Sequence, residues 1–222
     1  MADTKISGLP ASTTPLDGTE VLPIVQGTTT KQVSIANVTA GRPIAASTVQ
    51  ATTTMAVGAA TPAASGAGMT FPATQSASTD VNTLDDYEEG TFTPVVSFTT
   101  PGDLSVAYSA QVGLYTKIGR MVFISFNITC TPTFTTASGS LTISTAPFAS
   151  TGASYIGAMH FSNLLFGAGY TMLNPRLGAV SSTTFDLVQS GSGLAPAAIA
   201  TTNMVSGTAY IMRGTLAYQT TT

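Results

Sequence analysis

Val122, Ile124, Phe126 and Ile128 alternate one for one with Ser125, Asn127 and Thr129. A side-chain period of two puts every second residue on the same face, so this stretch predicts a strand, with those four apolar residues at core or interface positions. Shorter runs of the same kind predict strands at 91–98, 140–144, 153–161, 183–189 and 208–218. Turn-forming breaks separate them at Pro101-Gly102-Asp103, at Ser138-Gly139, and around 150–152 and 190–193. No stretch of useful length has a helical period. Residues 91–222 are therefore expected to close as an antiparallel β-sandwich, jelly-roll-like, within an all-β chain.

Upstream the pattern is sparser. Three short extended segments, Thr4–Leu9, Glu20–Gln26 and Lys31–Ile35, are separated by Pro10, Pro15, Asp17-Gly18 and Gly27-Thr28. They define a small N-terminal β module over 1–43. A unit of about 40 residues without metal or disulfide rarely buries enough apolar area to offset its conformational entropy, so this one should need partners. Ile6, Leu9, Val21, Leu22, Ile24 and Val33 are its anchoring set. Residues 44–90 then turn to Ala, Thr, Ser and Gly, an extended low-complexity arm whose small side chains permit close approach between copies of the chain. The arm ends in an acidic junction, Asp85-Asp86-Tyr87-Glu88-Glu89-Gly90, and a boundary is placed between Gly90 and Thr91.

Composition narrows the function classes. The 222 residues are 43% hydrophobic, enough for one sizeable core or a core plus a small module. Only 8% are charged, against about a quarter in ordinary globular domains, so hydroxyls rather than ions keep the surface wet. The net charge is -3 and the cations are scattered singly, which provides no footprint for a phosphate backbone. Nucleic acid is not an expected partner. No run approaches the ~18 apolar residues of a membrane span, so no membrane is expected either. Met1–Pro10 lacks the basic patch and apolar run of a secretory signal, which points to assembly in a cytoplasm. With one Cys and one His, an intrachain disulfide and a multi-His/Cys zinc site are excluded. Part of the stabilising burial is accordingly expected between subunits.

Two stretches carry a family resemblance. Lys5-Ile6-Ser7-Gly8-Leu9-Pro10, followed by the run from Gly18 to Gly27 and Thr30-Lys31-Gln32-Val33-Ser34, resembles the amino-terminal module of bacteriophage tail-fibre and head-fibre proteins. The run from Gly66 to Gln75, then Leu84 to Pro94, then Tyr115-Thr116-Lys117-Ile118-Gly119, looks like the junction and head-domain start of the same proteins. The matches touch about half of the chain, and the last hundred residues carry none. The resemblance implies a protein on the exterior of the virion, assembled in the host cytoplasm, and no enzyme is expected. It would be a homotrimer anchored through its N-terminal module to other virion proteins of capsid or tail, with its β domain outward. A host-surface glycan or protein is a further partner under the alternative reading, a receptor-binding tip.

Few residues stand out as chemistry. Asp85, Asp86, Glu88 and Glu89 could supply the paired carboxylates of glycoside hydrolysis, or gather Ca²⁺ where three copies converge. A solvated acidic hinge is the plainer reading and the one preferred. Lys117 and Arg120 flank a hairpin-like turn and could meet the acidic run of a neighbouring chain. His160 in its apolar strand is read as packed or hydrogen-bonded, and Cys130 as a small hydrophobe. Tyr108, Tyr155, Tyr170, Tyr210, Tyr218, Phe161 and Phe166 could form a sugar platform but read better as core or interface. No catalytic residue and no cofactor is assigned.

Overall fold

The computed structural model describes residues 21–26, 28–34, 51, 54–58, 60–152, 154–178 and 182–220. The chain divides into two compact units, Met1–Ala51 and Thr52–Thr222. In the first, β1 (Val21–Gln26) and β2 (Thr29–Ser34) pair as an antiparallel hairpin, with Leu22 opposite Val33 and Ile24 opposite Lys31. Val21, expected in the buried set, is 47% exposed. It pairs with Ser34 at the open end of the hairpin, where the ladder stops. The segment Thr4–Leu9, with Ile6 and Leu9, lies outside the described residues.

The second unit begins with a parallel pair, β3 (Thr54–Ala56) and β4 (Gly68–Thr70), closed by the Thr54 hydroxyl donating to Ala63 O at 2.8 Å. Two antiparallel sheets follow. One contains β5 (Tyr87–Phe92), β7 (Ser105–Ile118), β8 (Met121–Thr133), β11 (Ala158–Ser162) and β15 (Tyr210–Gln219), in the order β11-β15-β8-β7-β5. The other contains β6 (Val95–Thr100), β9 (Ser138–Ser144), β10 (Tyr155–Ile156), β12 (Met172–Leu177) and β13 (Phe185–Ser190), in the order β10-β12-β13-β9-β6. A short β14 (Ala197–Ala198) also pairs with β13. Among the described residues there is no α-helix, only a 3₁₀ turn at Thr201–Asn203.

The sheets share one core. Val122, Ile128, Met212 and Tyr218 come from the five-stranded sheet and Leu141, Ile143, Leu177, Phe185 and Leu187 from the other, all fully buried. The Phe126 and Phe185 rings meet across the interior with centroids 5.2 Å apart. One row across the five-stranded sheet alternates large and small: Phe92, Gly113, Phe126, Gly214 and Met159 are cross-strand neighbours in that order. A Cβ on Gly113 would lie 2.5 Å from the Phe92 ring, and one on Gly214 2.6 Å from the Phe126 ring. Glycine here is the space that lets an aromatic ring lie flat across the neighbouring strand.

Several expected elements differ. The strand expected at 91–98 is two, β5 and β6, in opposite sheets, because Pro94 has no N–H with which to continue a ladder. The strand expected at 153–161 is likewise split into β10 and β11 at Gly157, where a Cβ would lie 2.0 Å from Thr215 O. β7, the longest strand at 14 residues, and β12 were not expected. The acidic junction is no hinge: β5 runs through it and across the boundary placed at Gly90 and Thr91.

Candidate functional site

The four acids of the junction are dispersed to different partners by the strand period. Asp86, just before β5, and Glu88 face one way and Tyr87 and Glu89 the other. Register sets Glu88 opposite Lys117 and Gly90 opposite Tyr115 on β7. Asp86, only 5% exposed, forms an ion pair with Lys117, only 2% exposed. The Lys117 ammonium also reaches Gln75 Oε1 at 3.5 Å and stands 5.4 Å from the centre of the Phe148 ring. A buried charge needs a partner and further hydrogen bonds to persist, and this lysine has both. The bridge expected between chains is thus made within one chain.

Tyr115 lies across Gly90, where a Cβ would come within 2.8 Å of its hydroxyl, and donates that hydroxyl to Glu88. The bond to the Glu88 carboxylate, with burial second, pushes the Tyr115 phenol up to about 12. Its ring also meets Phe148 edge to face at 5.5 Å. Glu89 accepts from the Tyr87 hydroxyl at 2.9 Å. The Asp85 carboxylate turns to the preceding loop, accepting from Ser78 N–H at 2.8 Å and from the Gln75 amide at 3.4 Å. The Ser78 bond, outweighing the opposing desolvation, lowers its pKa below the ordinary carboxylate value. Gly119 N–H donates to Asp86 O at 2.9 Å, fixing β5 to the Gly119-Arg120 turn between β7 and β8. Positive φ at Gly119 suits the first central position of such a two-residue hairpin loop.

Asp85, Asp86, Glu88 and Lys117, with Arg120, Phe148 and the loop 73–83, line a polar cleft of about 870 Å³. Glycoside hydrolysis needs two carboxyl groups facing a sugar-wide gap. Here Lys117 covers one and Tyr115 caps the other. Among the described residues of one chain, no group of three or more Asp, Glu, His or Cys side chains is placed to hold a metal ion.

A second candidate surface lies on the outward face of the five-stranded sheet. Val122, Ile124, Phe126 and Ile128 point into the core at 0 to 4% exposure, which turns Phe123 outward at 48%. Around Phe123, Leu114, Ile156, Ala158, Thr215 and Ala217 line an apolar groove of about 710 Å³. A more polar hollow of about 760 Å³ lies on the same sheet, with Asn127, His160 and Arg213 in its lining. Arg213 donates to Asn127 Oδ1 at 2.9 Å. His160, read from sequence as packed or hydrogen-bonded, is exposed beside it.

The other singled-out residues are used internally. Cys130 is buried, and burial pushes its thiol up to about 11. Tyr210 and Tyr218 are fully buried. Tyr218 donates to Phe148 O at 2.9 Å, and Tyr210 bonds the backbone of Val205. Tyr170 donates to Ala195 O at 2.9 Å, and Phe161 stacks edge to face on Phe166 at 5.2 Å. Two features carried no sequence signal. Asp103 accepts from the backbone N–H groups of Thr135 and Thr136 at 2.9 and 2.8 Å, which hold its carboxyl well below the usual range. Arg176 grips Asp186 with two bonds, 3.1 and 2.6 Å. Each joins residues whose adjacency only the folded chain creates.

No family model matches the sequence, and no curated protein matches it. Among solved structures the chain is similar to the Dettilon tailspike protein, at 16% identity and a TM-score of 0.46, over 60% of this chain and 24% of the tailspike. The chain thus spans about a quarter of that protein's length.

Proposed function

We propose that this chain is a structural protein of a phage virion, a homotrimeric fibre or knob attached to tail or capsid through its first unit and displaying the β-sandwich outward. The observation that carries the reading is that the stretches resembling phage fibre proteins, Leu84 to Pro94 and Tyr115 to Gly119, fold into one device. They pair as β5 and β7, and the Asp86–Lys117 ion pair, the Tyr115–Glu88 bond and the Gly119–Asp86 backbone bond all fall between them. The resemblance therefore rests on residues that act together. Two of its acids, Asp86 and Glu88, tie β5 to β7.

The receptor-binding alternative draws on the cleft above β5. Hydroxyls, Gln75, Arg120 and the Phe148 ring are the kind of lining that holds a host-surface glycan. Saturable adsorption of the protein to host cells, lost in Arg120→Ala with the fold intact, supports that role.

The test of the principal reading is electron microscopy of intact particles labelled with gold-tagged antibody against the protein. Gold over the head assigns it to the capsid and gold at the tail to the tail. Particles that bind no antibody overturn the reading.

A further inference from the structure

Apolar side chains on a sheet face that no described residue of the second unit covers leave a standing hydrophobic cost, and contiguous patches of this kind mark contact surfaces. On the outward face of the five-stranded sheet Leu114 is 51% exposed, Val112 50% and Phe123 48%, and Ile156 of β10, 55% exposed, lines the same groove. Ile118, Ala158 and Ala217 extend the patch. We propose that a second copy of this chain docks on this face. The proposal rests on the reading above only in requiring a chain that self-associates.

Area and charge both point to a copy. Five strands about 4.8 Å apart, with four outward rows about 7 Å apart, make a face of roughly 600 Å². Two such faces together bury about 1,200 Å², the lower bound of standard stable interfaces. The ionic side chains of the face stand at opposite corners. Glu89 is on β5, one row to one side of Leu114 and Ser125, and Arg213 is on β15, one row to the other side. The face carries no net charge, which offers nothing to a strongly acidic or basic partner and does not repel its own kind. A twofold axis lying in the face, across the Glu89–Arg213 diagonal, exchanges the two corners. Each Glu89 then meets Arg213 of the other copy, and the strands cross near a right angle, one of the two ordinary ways in which sheets pack. The contact is pairwise, so homotrimers would be joined by it in twos.

The test uses the full chain and its mass in solution by light scattering. Leu114→Arg with Phe123→Arg replaces two half-exposed side chains, so the sandwich is expected to keep its circular dichroism while the mass falls at least twofold. Glu89→Arg alone and Arg213→Glu alone should each weaken association at least fivefold, and the two together should restore it. Unchanged mass in the double arginine variant overturns the proposal, as does a wild-type chain of single-chain mass. In the latter case, protection of a Ser125→Cys thiol from maleimide would give the face to another segment of this chain, and rapid labelling would leave it bare. None of these outcomes depends on where gold falls on the particle, so the proposal can fail while the virion reading stands.

Discussion

Lys117 is the side chain in which most of the local structure meets. Its ammonium is withdrawn from water and held by Asp86, Gln75 and Phe148. Removing one member of a buried pair strands the other charge, at a cost of about 3 to 5 kcal/mol, whereas removing both is often close to neutral. Lys117→Met is therefore expected to cost about that much in urea unfolding, and Lys117→Met with Asp86→Leu to recover most of it. Additive losses in the double variant would show that the two residues act separately. Asp103 works from an exposed loop through a depressed pKa. Its folded value lies below the unfolded one, so its contribution is present above about pH 4 and is lost as pH falls through the lower, folded value. The unfolding midpoints of wild type and Asp103→Asn should differ by a constant amount near neutrality and converge below about pH 4. A gap that widens on acidification excludes this account. Neither pairing was legible in the sequence. The acids were plain as a cluster, but which of them is buried follows from the register of β5 against β7, and register is a tertiary fact.

At the scale of elements, β8 was legible because its inward positions are large and its outward ones mostly small and polar. β7 was not. Its inward positions include Gly113 and the buried Lys117, and its outward ones include Val112 and Leu114, so the contrast that betrays a strand is inverted. Pro175 hid β12 in the same way, since a proline argues against a strand placed between two others. The glycine of β7, Gly113, is a packing position in the sheet. Gly113→Val should drive a side chain into the Phe92 ring and cost about 1 to 3 kcal/mol, as overpacked cores do. In a Phe92→Ala background the same substitution meets a vacated space, and its cost should fall by at least half. Equal costs in the two backgrounds, read from denaturation curves, would show that the glycine serves the backbone and not the ring.

At the scale of the whole molecule, the sandwich closes with a strand from the end of the described chain. β15 lies between β8 and β11, pairs with β8 over ten residues, and contributes Tyr210, Met212, Leu216 and Tyr218 to the core. Every described residue of that core belongs to the second unit. Sequence pattern gave a strand near each end of the chain equal standing, and only topology separates a central strand from a separate unit. The two ends should therefore respond oppositely to truncation. A chain beginning at Thr52 retains every residue of the shared core, so it is expected to unfold cooperatively with a midpoint within a few degrees of the full chain. A chain ending at Val205 keeps the first unit and loses the centre of the five-stranded sheet. It also exposes the flanks of β8 and β11 as unpaired edges, which are templates for aggregation. It should show no cooperative transition and should sediment as aggregate. If the C-terminal truncation instead melted cooperatively, β15 would be an added layer on a sandwich complete without it. If removing the first 51 residues abolished folding, the two units would be one.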